Sequence, residues 1–147
     1  MKHFQLVTLI IIIAGLFSCK KDEPADLLVG NWKATKLVNS GCTDPEDNQN
    51  LTFTNGCYNE ALFNLEICLT ATFNTNKSYS IVTKSTFQGS TDTETENGTY
   101  TVSGTTLTLC ETGGSCDDAN FSVSESTLNL NGKDTDSKCT SAWTFVK

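Results

Sequence analysis

Short runs in which oily and wet side chains take turns dominate this chain from residue 29 onward, and they leave few folds open to it. In "EICLTATF" the apolar Ile67, Leu69, Ala71 and Phe73 alternate with Glu66, Cys68, Thr70 and Thr72. "SYSIVTKSTF" puts Tyr79, Ile81 and Phe87 on one face and Ser80, Lys84 and Thr86 on the other. The same alternation continues through Tyr100 and Val102, Leu107 and Leu109, Phe121 and Val123, Leu128 and Leu130, and Trp143 and Phe145. Clusters such as "NTNK", "SGT", "ETGGS" and "SES" separate the runs. A period of two between turn-forming clusters marks half-buried antiparallel strands. With "NWKATKLV" near the start, the chain holds about eight of them. No stretch carries a sustained apolar stripe at helical spacing; the nearest, "CYNEALFNLEI", offers a turn or two through Tyr58, Ala61, Leu62 and Leu65.

Consecutive hairpins of this kind remove their exposed edges by closing on themselves. The expected fold is therefore all-β: an antiparallel up-and-down barrel of about eight strands spanning 29–147. Its inward set comprises Trp32, Phe73, Tyr79, Phe87, Tyr100, Phe121, Trp143 and Phe145. A barrel of that size either fills with side chains or shares its interior with one small ligand. Residues 40–64 break the rhythm as a long, acidic, cysteine-bearing insertion after the first strand, either a lid over one barrel end or a crosslinked surface loop.

Seven cysteines divide as one plus six: Cys19 stands alone near the start, and Cys42, Cys57, Cys68, Cys110, Cys116 and Cys139 follow. In an exported chain the even set reads as a disulfide framework. Cys110 and Cys116 flank "ETGGS" and are placed to staple a hairpin, while the other pairings stay open. A zinc site is disfavoured, because no cysteine pair has zinc-finger spacing and the only histidine is His3.

Export is written at the N-terminus. Lys2 precedes a nearly unbroken apolar run from Phe4 to Phe17, shorter than the roughly 20 residues a membrane span requires. A charged start and a short apolar core describe a signal peptide over 1–18. An uncleaved single-pass anchor is the alternative. Leu16-Phe17-Ser18-Cys19 resembles the lipobox of bacterial lipoproteins, which implies that Cys19 is acylated and becomes the mature N-terminus. Residues 19–28 would then be the lipidated cysteine and a flexible tether. Lys20-Lys21-Asp22-Glu23 is similar to the signal that sends some lipoproteins to the cell surface, and fits a plain solvated tether equally well. The implied location is the outer membrane of a bacterial envelope, with the protein facing the cell surface.

The formal net charge is −7, and the chain has no arginine. Such a surface is a poor match for nucleic acid, which rewards dense Lys/Arg. It is also repelled by anionic lipid heads, so attachment to a membrane falls to the lipid. Without a histidine after the cut or an expected free thiol, histidine acid/base chemistry and cysteine nucleophiles are excluded. Asp117-Asp118 fits a solvated turn. Asp44-Pro45-Glu46-Asp47-Asn48 and Asp134-Thr135-Asp136 offer oxygen ligands but not the spacing of a calcium loop. No metal, cofactor or catalytic residue is expected.

Several short motifs point to a family. "LLVGNWKATKLV", with Gly30-Asn31-Trp32, resembles the first strand of bacterial lipocalin-like domains. "LTATFNTNKSYSI" and "ENGTYTVSGTTLTL" are similar to their later hairpins, and "STLNLNG" and "SAWTFVK" to their last two strands. The resemblance implies that Gly30 and Trp32 close one barrel end, and that the barrel holds a small hydrophobic ligand without catalysis. It defines no ligand-binding residue. The rival expectation is a protein-interaction module, an inhibitor or adhesin, acting through the 40–64 insertion and the barrel-end loops.

Overall fold

The computed structural model describes residues 23–133 and 138–147. Cys19, Asp134 and Asp136 lie outside the described residues. Ten strands follow one short helix, α1 (Pro24–Leu28): β1 (Gly30–Ser40), β2 (Gln49–Thr52), β3 (Cys57–Glu60), β4 (Leu65–Phe73), β5 (Ser78–Phe87), β6 (Ser90–Ser103), β7 (Thr106–Glu111), β8 (Cys116–Val123), β9 (Thr127–Lys133) and β10 (Thr140–Val146). From β4 to β10 each strand pairs antiparallel with the next, and β10 pairs with β1. The first half of β1, Gly30–Lys33, pairs with Phe73–Thr70 of β4, and that contact closes eight strands into a barrel.

Above that contact β1 and β4 part company. The register of β1 against β10 slips between Ala34 and Lys36, leaving Thr35 as the extra residue. A bulge bends its strand and strengthens the local twist. Here the Thr35 carbonyl is freed to accept the Phe53 N–H at 2.8 Å, and Lys36–Asn39 take up β2. On the other side Leu65–Cys68 of β4 take up β3. The 40–64 insertion is thus part of the wall: β2 and β3 form a wedge in the gap between β1 and β4. They join through Thr54–Cys57, with Asn55 at φ 54° and Gly56 at φ 89°. Two consecutive positive φ values make the tight turn that Asn-Gly favours. The helical turn expected over "CYNEALFNLEI" is confined to one 3₁₀ turn, Ala61–Phe63, between β3 and β4.

The core gathers at the end where β1 begins. Trp32, Tyr100, Phe73, Leu28, Leu107 and Leu128 are fully buried there. Trp32 donates from Nε1 to the Leu28 carbonyl at 2.8 Å, and the Lys147 ammonium lies 4.8 Å above its ring centroid. The same ammonium donates to the Leu27 carbonyl at 3.0 Å, so the C-terminal lysine straps α1 onto the tryptophan. Gly30 belongs to this lock: at its φ of +140° a side chain is strained, and a Cβ would come 3.1 Å from Lys147 Cε. Phe73 meets Tyr100 edge to face at 5.2 Å, and the Tyr100 hydroxyl donates to the Asn74 carbonyl. Pro24–Leu28, expected to be the last part of a flexible tether over 19–28, are instead helical and bury Leu28, while residues 19–22 lie outside the described residues.

All three disulfides sit at the opposite end. Cys42–Cys139 ties the end of β1 to the entry of β10, Cys57–Cys68 joins β3 to β4, and Cys110–Cys116 closes the β7–β8 hairpin. Two expectations for side chains change. Phe87 shares the inward register of Tyr79 and Ile81 but is half exposed, because the β5–β6 hairpin outgrows the barrel and nothing lies opposite its tip. Phe53, absent from the expected core, is buried: the wedge turn pushes it inside, 6.0 Å from the Trp143 ring.

Candidate functional site

The disulfide-bearing end is open. A cavity of about 680 Å³ descends from it into the barrel. Leu69, Ile81, Leu109, Leu130, Trp143 and Phe145 make its apolar wall and floor. Each arrives by alternation, as an inward position on β4, β5, β7, β9 or β10. Trp143 and Phe145 stack at 5.8 Å and with Phe53 form an aromatic shelf. The volume lies within the roughly 300–1,000 Å³ typical of small-molecule sites.

The rim is polar and acidic. Asp117 was expected in a solvated turn; instead it lies in β8 opposite Leu109, an inward position. Its neighbour Asp118 faces outward and accepts a hydrogen bond from the Thr108 hydroxyl. The reason is register: Cys110 and Cys116 pair directly, so the turn ends at Ser115 and β8 starts at Cys116. Inward positions of β6 carry a run of carboxylates. Gly98 stands opposite Tyr79, Glu96 opposite Ile81, Glu94 opposite Thr83 and Asp92 opposite Ser85. Glu111 and Glu60 hold inward positions on β7 and β3.

Tyr79 lies where the packed half meets the cavity. Its ring covers Gly98, where an added Cβ would fall 2.6 Å from Tyr79 Cε1 and 2.1 Å from the Cys110 carbonyl oxygen; only glycine fits. Its hydroxyl donates to Glu96 Oε1. Burial, then the hydrogen bond to Glu96 and the nearby charges of Glu96, Glu111 and Asp117, push the phenol well above its ordinary value of 10. Tyr58, at the wedge, donates to Glu60 Oε2 at 2.9 Å, and that bond is the main reason its phenol is also raised.

Outside the barrel, Leu62, Phe63 and Phe87 are exposed near the overhanging hairpin. A more open concavity of about 790 Å³ lies beside them, lined mostly by polar residues including Asn59, Glu60, Asn64, Glu66, Thr86 and Gln88.

Several residues singled out in the sequence serve structure and not this site. Gly30 and Trp32 sit at the closed end, away from the cavity. The six cysteines are all paired; Glu66 beside Cys57 and Cys68 resembles a metal-ligand set, but both sulfurs are committed to each other. Asp44 caps its own 3₁₀ turn, accepting from the Glu46 N–H at 3.0 Å. Alternation of threonine with acid along β6 was the signal for the inward carboxylates, and it is invisible to a search for apolar periodicity.

No family model matches the chain, and no curated protein matches it. Among solved structures it is similar to a lipocalin-like protein from Bacteroides uniformis ATCC 8492. Sequence identity is 13%, the TM-score is 0.51, and the match covers 82% of this chain and 98% of that one. Likeness at that identity speaks to architecture, and with the closed antiparallel wall it establishes the fold as a lipocalin-like β-barrel.

Proposed function

We propose that this protein is a non-catalytic lipoprotein of the bacterial envelope, held to the outer membrane by acyl chains on Cys19 and facing the cell surface, whose barrel binds a small hydrophobic ligand. The observation that carries the binding is the cavity: about 680 Å³, apolar below, open to solvent above, and stapled at its rim by disulfides. A lipocalin-like barrel suits such a ligand in general. The anchor is supported by the lipobox-like Leu16-Phe17-Ser18-Cys19 alone. Several acyl chains hold a protein firmly, at about 0.8 kcal/mol per buried CH₂.

Native mass spectrometry of the purified protein tests the ligand. A co-purifying hydrophobe, displaced when Ala119→Phe at an inward, cavity-lining position of β8 fills the space, is the expected result; a protein that is always empty and excludes apolar dyes refutes it. Radiolabelled palmitate tests the anchor: label lost in Cys19→Ser supports it, and undiminished label refutes it. A second reading, an inhibitor or adhesin, is favoured by exposed Leu62 and Phe63 within the insertion and exposed Phe87 outside it. It predicts that an empty barrel still recruits a protein partner through that tip.

A further inference from the structure

We infer that the ligand of the mouth cavity is cationic: an amphiphile whose apolar tail rests on Leu130, Trp143 and Phe145 and whose ammonium-type head meets Glu96 and Asp117. This rests on the ligand-binding reading above and adds the ligand's charge to it.

The inner face of a closed barrel strand is where apolar side chains belong; here Glu96 is partly buried, and Asp92, Glu94, Glu111 and Asp117 stand exposed around the mouth. β6 ends at the closed end in the ordinary way, with Tyr100 buried and Gly98 making room for Tyr79. Higher on the same face come Glu96, Glu94 and Asp92, while the outer face carries Thr91, Thr93, Thr95, Asn97 and Thr99. Both faces of that half-strand are polar, and its acids keep to one of them. Glu111 and Asp117 continue the inward acids across β7 and β8. Lysines follow the opposite rule. Lys33, Lys36 and Lys84 occupy outward positions, and Lys133, which reaches the rim, follows inward Gly132 and so also starts from the outer face.

The consequence is a cavity with an oily floor and a rim where Asp117 and Asp118 outnumber Lys133, while Glu96 stands opposite Ile81, one of the lining residues. Like charges on a low-dielectric concave surface focus their field, raising the local concentration of cations and turning anions away. The Tyr79 hydroxyl orients Glu96 from below, which keeps one carboxylate in a fixed place. A fatty carboxylate entering tail-first would leave its head among like charges, whereas an alkylammonium would pair with them. The charge at the mouth therefore selects a hydrophobic amine or a quaternary ammonium over a fatty acid.

Three probes with one tail separate the possibilities: dodecylammonium, dodecanol and dodecanoate, each titrated into the purified protein by calorimetry at low and moderate salt. The expected order is dodecylammonium tightest, dodecanol between, and dodecanoate weakest, with at least about tenfold between the ends, narrowing as salt rises. Glu96→Gln and Asp117→Asn, singly and together, should shrink that gap, while Lys84→Gln on the outer face should leave it intact. Equal affinities, a preference for dodecanoate, or a preference for dodecylammonium that survives the double substitution would each overturn the inference while leaving ligand binding standing. Failure of all three probes to bind would overturn ligand binding with it.

Discussion

At the end where the chain enters the barrel, Trp32, Phe73, Tyr100, Leu107 and Leu128 fill the interior, α1 caps it, and no disulfide is present. At the other end the interior is hollow, the inward positions turn acidic, and three disulfides stitch neighbouring strands. Packing density holds one end together and covalent bonds hold the other. The difference teaches what a binding mouth requires: side chains that would cohere by filling space must be left out, so another source of cohesion has to stand in the wall. Crosslinks act mainly by restricting the unfolded chain and need no interior volume.

The comparison can be broken most directly at the packed end. Trp32→Ala should remove the largest fully buried side chain and lower unfolding stability by about 3–5 kcal/mol in denaturant titrations. A smaller loss would mean that the closed end is less dependent on packing than its burial implies. Next comes the rim. Cys42→Ser with Cys139→Ser opens a bridge between residues 97 apart and should cost about 4 kcal/mol, against about 2 kcal/mol for Cys110→Ser with Cys116→Ser, whose separation is 6. Equal losses would show that the loop-entropy account does not govern this rim. Ala119→Phe should lower affinity for apolar probes by tenfold or more, about 1.4 kcal/mol, while the melting temperature hardly moves. A large melting shift would mean that the cavity region contributes to cohesion after all.

The smallest effect is at the boundary. Because the Tyr79 phenol is raised in the folded state, its share of stability is fully present below its ordinary value of 10 and is lost as pH climbs above that. Tyr79→Phe should therefore be less stable than the parent at neutral pH, with the gap narrowing above about pH 10 as that phenol's share is lost. A gap independent of pH would separate the hydroxyl from the acids around it.

Much of this architecture was legible from alternation alone. β4 and β5 follow Ile67–Phe73 and Tyr79–Ile81 with the right faces, and the hairpin joined by Cys110 and Cys116 lies where "ETGGS" placed it. What escaped did so for physical reasons. Phe87 keeps the inward register yet lies exposed, because alternation reports a face and not whether anything covers it. Asp117 reads as a turn residue in the sequence because two acids shortly after glycines look like one until the cysteine pair sets the register. Phe53 was missed because β2 is only four residues long and makes its case through the bulge at Thr35, a tertiary event. The carboxylates of β6 were missed because a strand whose inner face is charged carries no hydrophobic period.

The wedge has a geometric consequence of its own. Eight strands close the base, whereas above Thr35 the wall gains β2 on β1 and β3 on β4, which meet each other only at the Thr54–Cys57 bridge. Barrel diameter grows roughly in step with strand number. The molecule is therefore a tapered cup, and its aperture is governed by a stretch of sequence that contributes little to its foot. Lengthening or trimming residues 41–64 offers a way to resize the opening while the foundation under Trp32 stays as it is.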